Sequence, residues 1–187
     1  MAPSSTSFVH KSFTYDVFLS FRGHDTRKTF VDHLCYALQQ KNIRTFKDGD
    51  KIKKRKKISD QLIKSIKDSK FHVIVFSKNY ASSSWCLDEL LKIMECNRTT
   101  HEHAVYPIFY DVEPFEVRKL SGTVGKAFAK HKREKSAKKW RKALKEAAEV
   151  AGWDLKNSFD GYEAKLIQKV VDEISTDICN SNVDGKS

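Results

Sequence analysis

Residues 15–30 read YDVFLSFRGHDTRKTF. The first seven are mostly β-branched, aromatic or aliphatic, the composition of a strand covered on both faces. Arg22 and Gly23 then break the run in a loop, and Asp25 and Thr26 are candidate helix N-caps. Beyond them Phe30, Leu34, Ala37 and Leu38 recur at helical spacing up to about Asn42. A buried strand followed at once by an amphipathic helix is the unit from which parallel sheets are built.

The same alternation continues down the chain. IRTF (43–46) reads as a second strand, followed by the polar loop KDGDKIKKRKK (47–57) with Gly49 at its turn. Ser59 is placed to cap a helix whose apolar stripe is Leu62, Ile63 and Ile66. FHVIVFS (71–77) is a third strand, and SSSWCLDEL (82–90) opens a helix that runs to about Cys96. AVYPIFY (104–110) is a fourth strand, in which Pro107 signals an irregularity or an edge. DVEPFEVRKLSG (111–122) reads as a loop before helical segments at about 122–133 and 136–150. GWDLK (152–156) is a short fifth strand, and Leu166, Ile167, Val170, Val171, Ile174 and Ile178 mark a last helix. Short connections between alternating elements predict an α/β fold, a parallel sheet with helices on both faces. In such sheets ligands sit at the C-terminal strand ends, near the point where strand order reverses.

Composition bounds the function. The 187 residues are 40% apolar, enough for one domain with a real core, and no apolar run approaches the ~20 residues of a membrane span. Residues 1–13 lack the hydrophobic core of a secretion signal and are expected to be a flexible leader; 179–187 are expected to be a flexible tail. Cys35, Cys86, Cys96 and Cys179 show neither C-x-x-C spacing nor a disulfide framework, which suits a reducing compartment. The net charge of +11 concentrates in KIKKRKK (51–57) and in the stretch from Lys126 to Lys145. Such charge attracts nucleic acid, phosphorylated ligands or anionic membranes, and 51–57 also suits a nuclear address; a solvated lysine-rich face explains it equally well.

On a helical wheel of residues 85–96, Cys86, Leu87, Leu90, Leu91, Ile93 and Met94 form one apolar arc. Glu89 falls roughly 40° outside its Ile93 edge at ~100° per residue, a rim position, while Asp88, Lys92 and Glu95 lie on the wet side. Trp85 and Cys86 precede Glu89 by four and three positions, so both can touch it. Two readings stand at this point: a rim glutamate paired with Lys92, or a carboxylate partly desolvated by the indole and able to stabilise a developing cation. Arg22 and Gly23 leave the first strand at the same end of the sheet, offering a phosphate fork and a close backbone approach.

Other chemistries fit less well. The third strand ends without the acceptor aspartate of a receiver domain, and no phosphate-binding glycine motif or nucleophile elbow occurs. The seven histidines show no ligand spacing; His101 and His103 lie on one side of an extended segment, too few for a zinc site, and no metal is expected.

With these residues assembled, the chain resembles a plant TIR domain. The resemblance rests on YDVFLSFRG, DTR (25–27), SKNYASSSWCLDEL (77–90), PIFYDVEP (107–114) with VRK, SGTVGKAF (121–128) and GW (152–153), in that order, and the domain is expected over 14–178. It implies a flavodoxin-like five-stranded parallel sheet and an NAD⁺ nucleosidase that works on self-association, with NAD⁺ as substrate and no cofactor. The family's catalytic glutamate lands on Glu89, and its nucleotide-contacting elements land on Phe21, Arg22, Gly23, Ser83 and Trp85. Self-association is implied through the first and last helices, with Asp32 and His33 at the family's dipeptide position, and through the loop from about Lys47 to Lys57.

That loop departs from the family pattern. Gly49 replaces one of two acids, and lysines or Arg55 stand where an Arg-Gly step is usual; Phe115 replaces a serine after Pro114. A non-catalytic scaffold is therefore an alternative, and nucleic-acid binding with cyclic-nucleotide synthesis a second. The resemblance further implies products acting on lipase-like immune heterodimers in plant defence and cell death, and a cytoplasmic location with nuclear entry through 51–57.

Overall fold

The computed structural model describes residues 11–47 and 58–184. Five strands, β1 (Tyr15–Phe21), β2 (Thr45–Lys47), β3 (Ser69–Phe76), β4 (Ala104–Phe109) and β5 (Trp153–Asp154), form one sheet in the order β2-β1-β3-β4-β5, every pair parallel. The helices are α1 (Gly23–Thr26), α2 (Phe30–Gln40), α3 (Asp60–Lys67), α4 (Ser84–Thr99), α5 (Pro114–Lys119), α6 (Gly122–Phe128), α7 (Ala137–Glu149), α8 (Leu155–Phe159) and α9 (Glu163–Asp184). This is the α/β flavodoxin-like arrangement.

Strand alternation divides the core in two. Val17, Leu19 and Phe21 of β1 pack with Phe71, Val73 and Val75 of β3 against α2 and α9. Phe18 of β1 packs with Ile74 and Phe76 of β3 against α3, α4 and α7. Burying each such side chain contributes about 1.5–3 kcal/mol. The chain thus leaves β1 toward one face, into α2, and leaves β3 toward the other, into α4. Between their C-terminal ends the two paths diverge, which opens the crevice where α/β sheets bind ligands.

Several expectations need adjusting. Asp25 and Thr26 do not cap the first long helix: α2 starts after Thr29, and Asp25 lies inside the single turn α1. The second strand begins at Thr45, with Ile43 buried just outside it and Asn42 left-handed (φ 56°) where α2 ends. The 111–122 loop holds α5, a six-residue helix with Pro114 in its first turn, too short to show a period in sequence. Ser59 and Ser83 do cap α3 and α4, accepting from the Leu62 and Cys86 amides at 3.2 Å each.

Pro107 sits in β4, which is flanked on both sides, but β5 pairs with β4 only from Ile108 onward. The residue facing it there is Gly152, where an added Cβ would fall 2.3 Å from the Pro107 carbonyl oxygen. Glycine is therefore required for the fifth strand to close on a proline-bearing fourth. Residues 179–184, expected in a flexible tail, continue α9 as helix. Near the other end, Lys11 Nζ donates to Lys67 O and Arg44 Nη1 to Phe13 O. No helix of the described residues is long and apolar enough to cross a membrane.

Candidate active site

Two carboxylates tie the C-terminal rim of the sheet together. Asp25 accepts from Ser77 Oγ at 2.6 Å, from the Asn79 amide at 3.1 Å and from Asn79 Nδ2 at 3.2 Å, joining the exit of β1 to that of β3. Asp111 accepts from the Lys78 amide at 2.8 Å, joining the exits of β3 and β4, and burial raises its pKa. The chain after β3 then makes a 3-10 turn, Tyr80–Ser82, before α4 begins.

Glu89, one turn into α4, is not at the rim. It is buried, 3% exposed, with Ser20 Oγ donating to Oε2 at 2.8 Å and the Trp85 indole Nε1 donating to Oε1 at 2.9 Å. The wheel placed Glu89 outside the apolar arc because it weighs one helix alone; β1 beneath α4 supplies the cover. Nor does Glu89 pair with Lys92, whose ammonium lies 3.1 Å from Glu95. Asp88, expected on the wet side, accepts from Trp140 Nε1 at 2.9 Å and has its pKa raised by burial.

Behind Ser20 stands Tyr80. Its hydroxyl is 2.8 Å from Ser20 Oγ and 3.1 Å from the Cys86 carbonyl oxygen, and its single proton can be given to one or the other. Burial, reinforced by Cys86 and Glu89, pushes the Tyr80 pKa well above that of a free phenol, so the group is a neutral donor. Ser20 can thus accept from Tyr80 while giving its own proton to Glu89, a chain that suits an ionised carboxylate. Sequence reading missed both residues. The available signal was parity: Ser20 is a polar residue set between Leu19 and Phe21 and shares a face with Phe18, the face that α4 covers.

The other expected site residues divide. Trp85 is half-buried and holds Glu89 directly. Ser83 is buried, and its hydroxyl caps α4. Phe21 does not join the site through its ring: it is buried among the α2 and α9 residues, on the opposite face from Ser20, with the Arg27 guanidinium 5.0 Å from its centroid. Only its carbonyl turns toward α4, within 3.5 Å of Cys86 Sγ. Arg22 and Gly23 line a cleft of about 550 Å³ with Asp25 and Arg27. Arg22 Nε is buried without a hydrogen-bond partner, an N–H donor directed at no described acceptor.

Asp32 and His33 are both exposed on α2, the helix that packs beside α9, and the Asp32 carboxylate lies 3.7 Å from Lys47 Nζ. Lys47 ends β2; the rest of the loop expected to take part in self-association, with Gly49, Arg55 and the basic run 51–57, lies outside the described residues. His101 is exposed, whereas His103 is buried against His72. Among the described residues no group of three or more His, Cys, Asp or Glu side chains could hold a metal ion.

Residues 14–186 match the family described as TIR domain. Over 173 residues the chain is 51% identical to disease resistance protein RUN1 of Vitis rotundifolia, covering 90% of this chain and 13% of that protein. It is 45% identical over 184 residues to TMV resistance protein N of Nicotiana glutinosa, covering 96% and 16%. The chain thus spans less than a fifth of the length of these relatives. Among solved structures, the TIR domains of the activated Roq1 resistosome, which directly recognises the pathogen effector XopQ, superimpose with a TM-score of 0.80 at 48% identity, covering 86% of this chain and 99% of that one. The TIR heterodimer of RPS4 and RRS1, 20% identical with a TM-score of 0.52, shares the fold. With the family match running from β1 through α9 and the strand order found here, the chain belongs to the TIR domain family.

Proposed function

We propose that this TIR domain cleaves the nicotinamide–ribose bond of NAD⁺ when copies of it self-associate, producing nucleotide signals in plant immunity and cell death. The observation that carries the reading is the Glu89 carboxylate, buried at the sheet's crevice and oriented by the Ser20 hydroxyl and the Trp85 indole. Taking a carboxylate out of water is costly, and a fold that does so and fixes its orientation has prepared a charge for use.

The chemistry needs one such group. When the C1′–N bond breaks, its electron pair returns to the pyridinium nitrogen, so nicotinamide leaves neutral and requires no acid. Positive character is left on the ribose, as in glycoside hydrolysis, and a carboxylate beside the ring stabilises it. Water then adds to C1′ and gives up a proton, leaving ADP-ribose; another hydroxyl or a second nucleotide in its place gives cyclic or ribosylated products. Ser20 and Trp85 hold Glu89 in place for this step. Arg22, with its buried Nε lacking a partner, is suited to a phosphate oxygen, and Gly23 allows that phosphate close to the backbone.

The trigger is assembly through α2, α9 and the loop after β2. The products act on lipase-like immune heterodimers, and the protein itself works in the cytoplasm, with KIKKRKK (51–57) suited to bringing it into the nucleus. The departures of residues 47–57 from the family pattern favour one rival, a TIR domain that only scaffolds. The two separate in an assay of NAD⁺ consumption with product analysis over a protein concentration series. Turnover that rises more than linearly and vanishes in Glu89→Ala is expected; no turnover even at high concentration overturns the enzyme reading in favour of the scaffold.

A further inference from the structure

The basic stretch from Lys126 to Lys145 has no part in the chemistry above. Folding brings it together with α5 around a cleft of about 720 Å³, within the range of small-ligand sites. Six cations line this cleft: Arg118 and Lys119 of α5, Lys126 of α6, Lys132 just beyond it, and Arg141 and Lys145 of α7. No carboxylate lines it, and none of the six makes an ion pair with another described residue. Some cations elsewhere are neutralised within the fold. Arg98 and Lys142 share Glu146 of the same α7, Lys92 pairs with Glu95, and Lys169 with Glu173.

Glu116 lies against Gly122 of the cleft, but its carboxylate is occupied in local structure, accepting from the Glu113 and Thr123 amides at 3.1 Å each. Both arginines are steadied by rings, Arg141 at 5.4 Å from the Phe128 centroid and Arg118 at 5.9 Å from that of Phe115. The backbone between α5 and α6 is equally constrained. Leu120 and Gly122 are left-handed (φ 51° and 54°), and a Cβ at Gly125 would fall 2.2 Å from the Leu120 carbonyl oxygen.

We propose that this cleft binds a compact small molecule carrying several phosphate groups. It shares no lining residue with the cleft at Arg22 and goes beyond the NAD⁺ reading. Charges converging from three helices on one concavity match phosphates clustered on a small scaffold, and the two guanidinium forks can each grip a phosphate through two hydrogen bonds. A polynucleotide fits less well. The one ring in the lining, Phe128, is buried and carries Arg141 on it, and the exposed Phe115 lies outside the lining with Arg118 against its ring, so the cleft itself offers no row of aromatic faces for base stacking.

The test is calorimetric titration of the 187-residue protein with inorganic tripolyphosphate at constant physiological salt. Saturable one-to-one binding is expected, weakened about tenfold or more in Arg118→Gln/Arg141→Gln, the loss expected of two charge-assisted contacts. Lys138→Gln/Lys139→Gln removes the same charge from α7 outside the lining and is expected to bind as the wild type does. Equal weakening by both pairs would mean attraction to net charge alone and would overturn the site, as would the absence of saturable binding. Tighter binding of a 16-base-pair RNA duplex than of tripolyphosphate, lost in the same arginine variant, would overturn the small-ligand assignment in favour of a polynucleotide. Folding of each variant is checked by circular dichroism and thermal melting before titration.

Discussion

Ser20 Oγ donates to Glu89 Oε2 at 2.8 Å, joining the first strand to the helix after the third strand across 69 residues of sequence. The bond is buried and its acceptor is a carboxylate, the setting in which a single hydrogen bond counts most. It fixes where the Glu89 charge sits relative to the crevice.

Removing that donor is expected to reduce turnover without unfolding the protein. Ser20→Ala deprives a buried carboxylate oxygen of its partner, at a cost of about 1.5–3 kcal/mol. If that cost falls on the transition state, kcat drops about tenfold or more while KM changes little. Steady-state kinetics alongside urea unfolding separates the two effects. An unchanged kcat in a folded variant would show that Glu89 does not depend on Ser20.

Acid is expected to destabilise the domain through His72. Its imidazole is buried, with Nε2 2.8 Å from the Ile66 carbonyl oxygen, and the His103 ring stacks on it at 5.1 Å. Burial lowers its pKa to about 4, against the opposing hydrogen bond to Ile66, with His103 and Lys11 lowering it further. The unfolded chain takes up this proton near pH 6.5 and the folded chain only near 4, so the unfolded state binds more protons between them. Stability from this group is therefore complete above about pH 6.5 and lost as pH falls toward 4, by about 3 kcal/mol in all. The His103 pKa, also lowered by burial, acts in the same direction. Urea unfolding at several pH values should show this slope in the wild type and a shallower one in His72→Phe; identical slopes would remove His72 as the cause.

His33 is exposed on α2, one of the two helices through which self-association is proposed. His33→Ala is expected to weaken association about fivefold, the scale of 1 kcal/mol at an interface. Sedimentation velocity at matched concentrations reads this directly, and an unchanged distribution would place the interface elsewhere. Loss of concentration-dependent NAD⁺ turnover in the same variant would link assembly to activity.

Gly152→Ala is expected to lower thermal stability. Its Cβ would lie 2.3 Å from the Pro107 carbonyl oxygen and 2.7 Å from the proline ring, with backbone on one side and no flexible group to move aside. Overpacking of this kind costs about 1–3 kcal/mol. A wild-type melting temperature would show that β5 can shift away from β4 at little cost.

Much of this architecture was legible because its signals are local. Apolar runs marked β1, β3 and β4, helical periods marked α2, α4 and α9, and the four-residue spacing of Trp85 and Glu89 anticipated their contact, which is a hydrogen bond. What escaped depended on partners distant in sequence. A wheel of α4 cannot see β1, so Glu89 was expected at the rim and is buried. Phe21 adjoins Arg22 in the chain, but side chains alternate along a strand, and its ring faces α2 instead of the site. α5 was lost for a different reason, being too short to repeat.

By itself the sequence determined the order of the five strands and the longer helices, the parallel sheet and the identity of Glu89 as the carboxylate to examine. Periodicity and turn chemistry are properties of neighbouring residues, and they survive without coordinates. Only the tertiary structure decided that Glu89 is buried between Ser20 and Trp85, that Tyr80 stands behind Ser20, and that six separate cations converge on one cleft. Burial and convergence arise when separate elements stack on a sheet, and their register is set by packing across it, which no local pattern encodes.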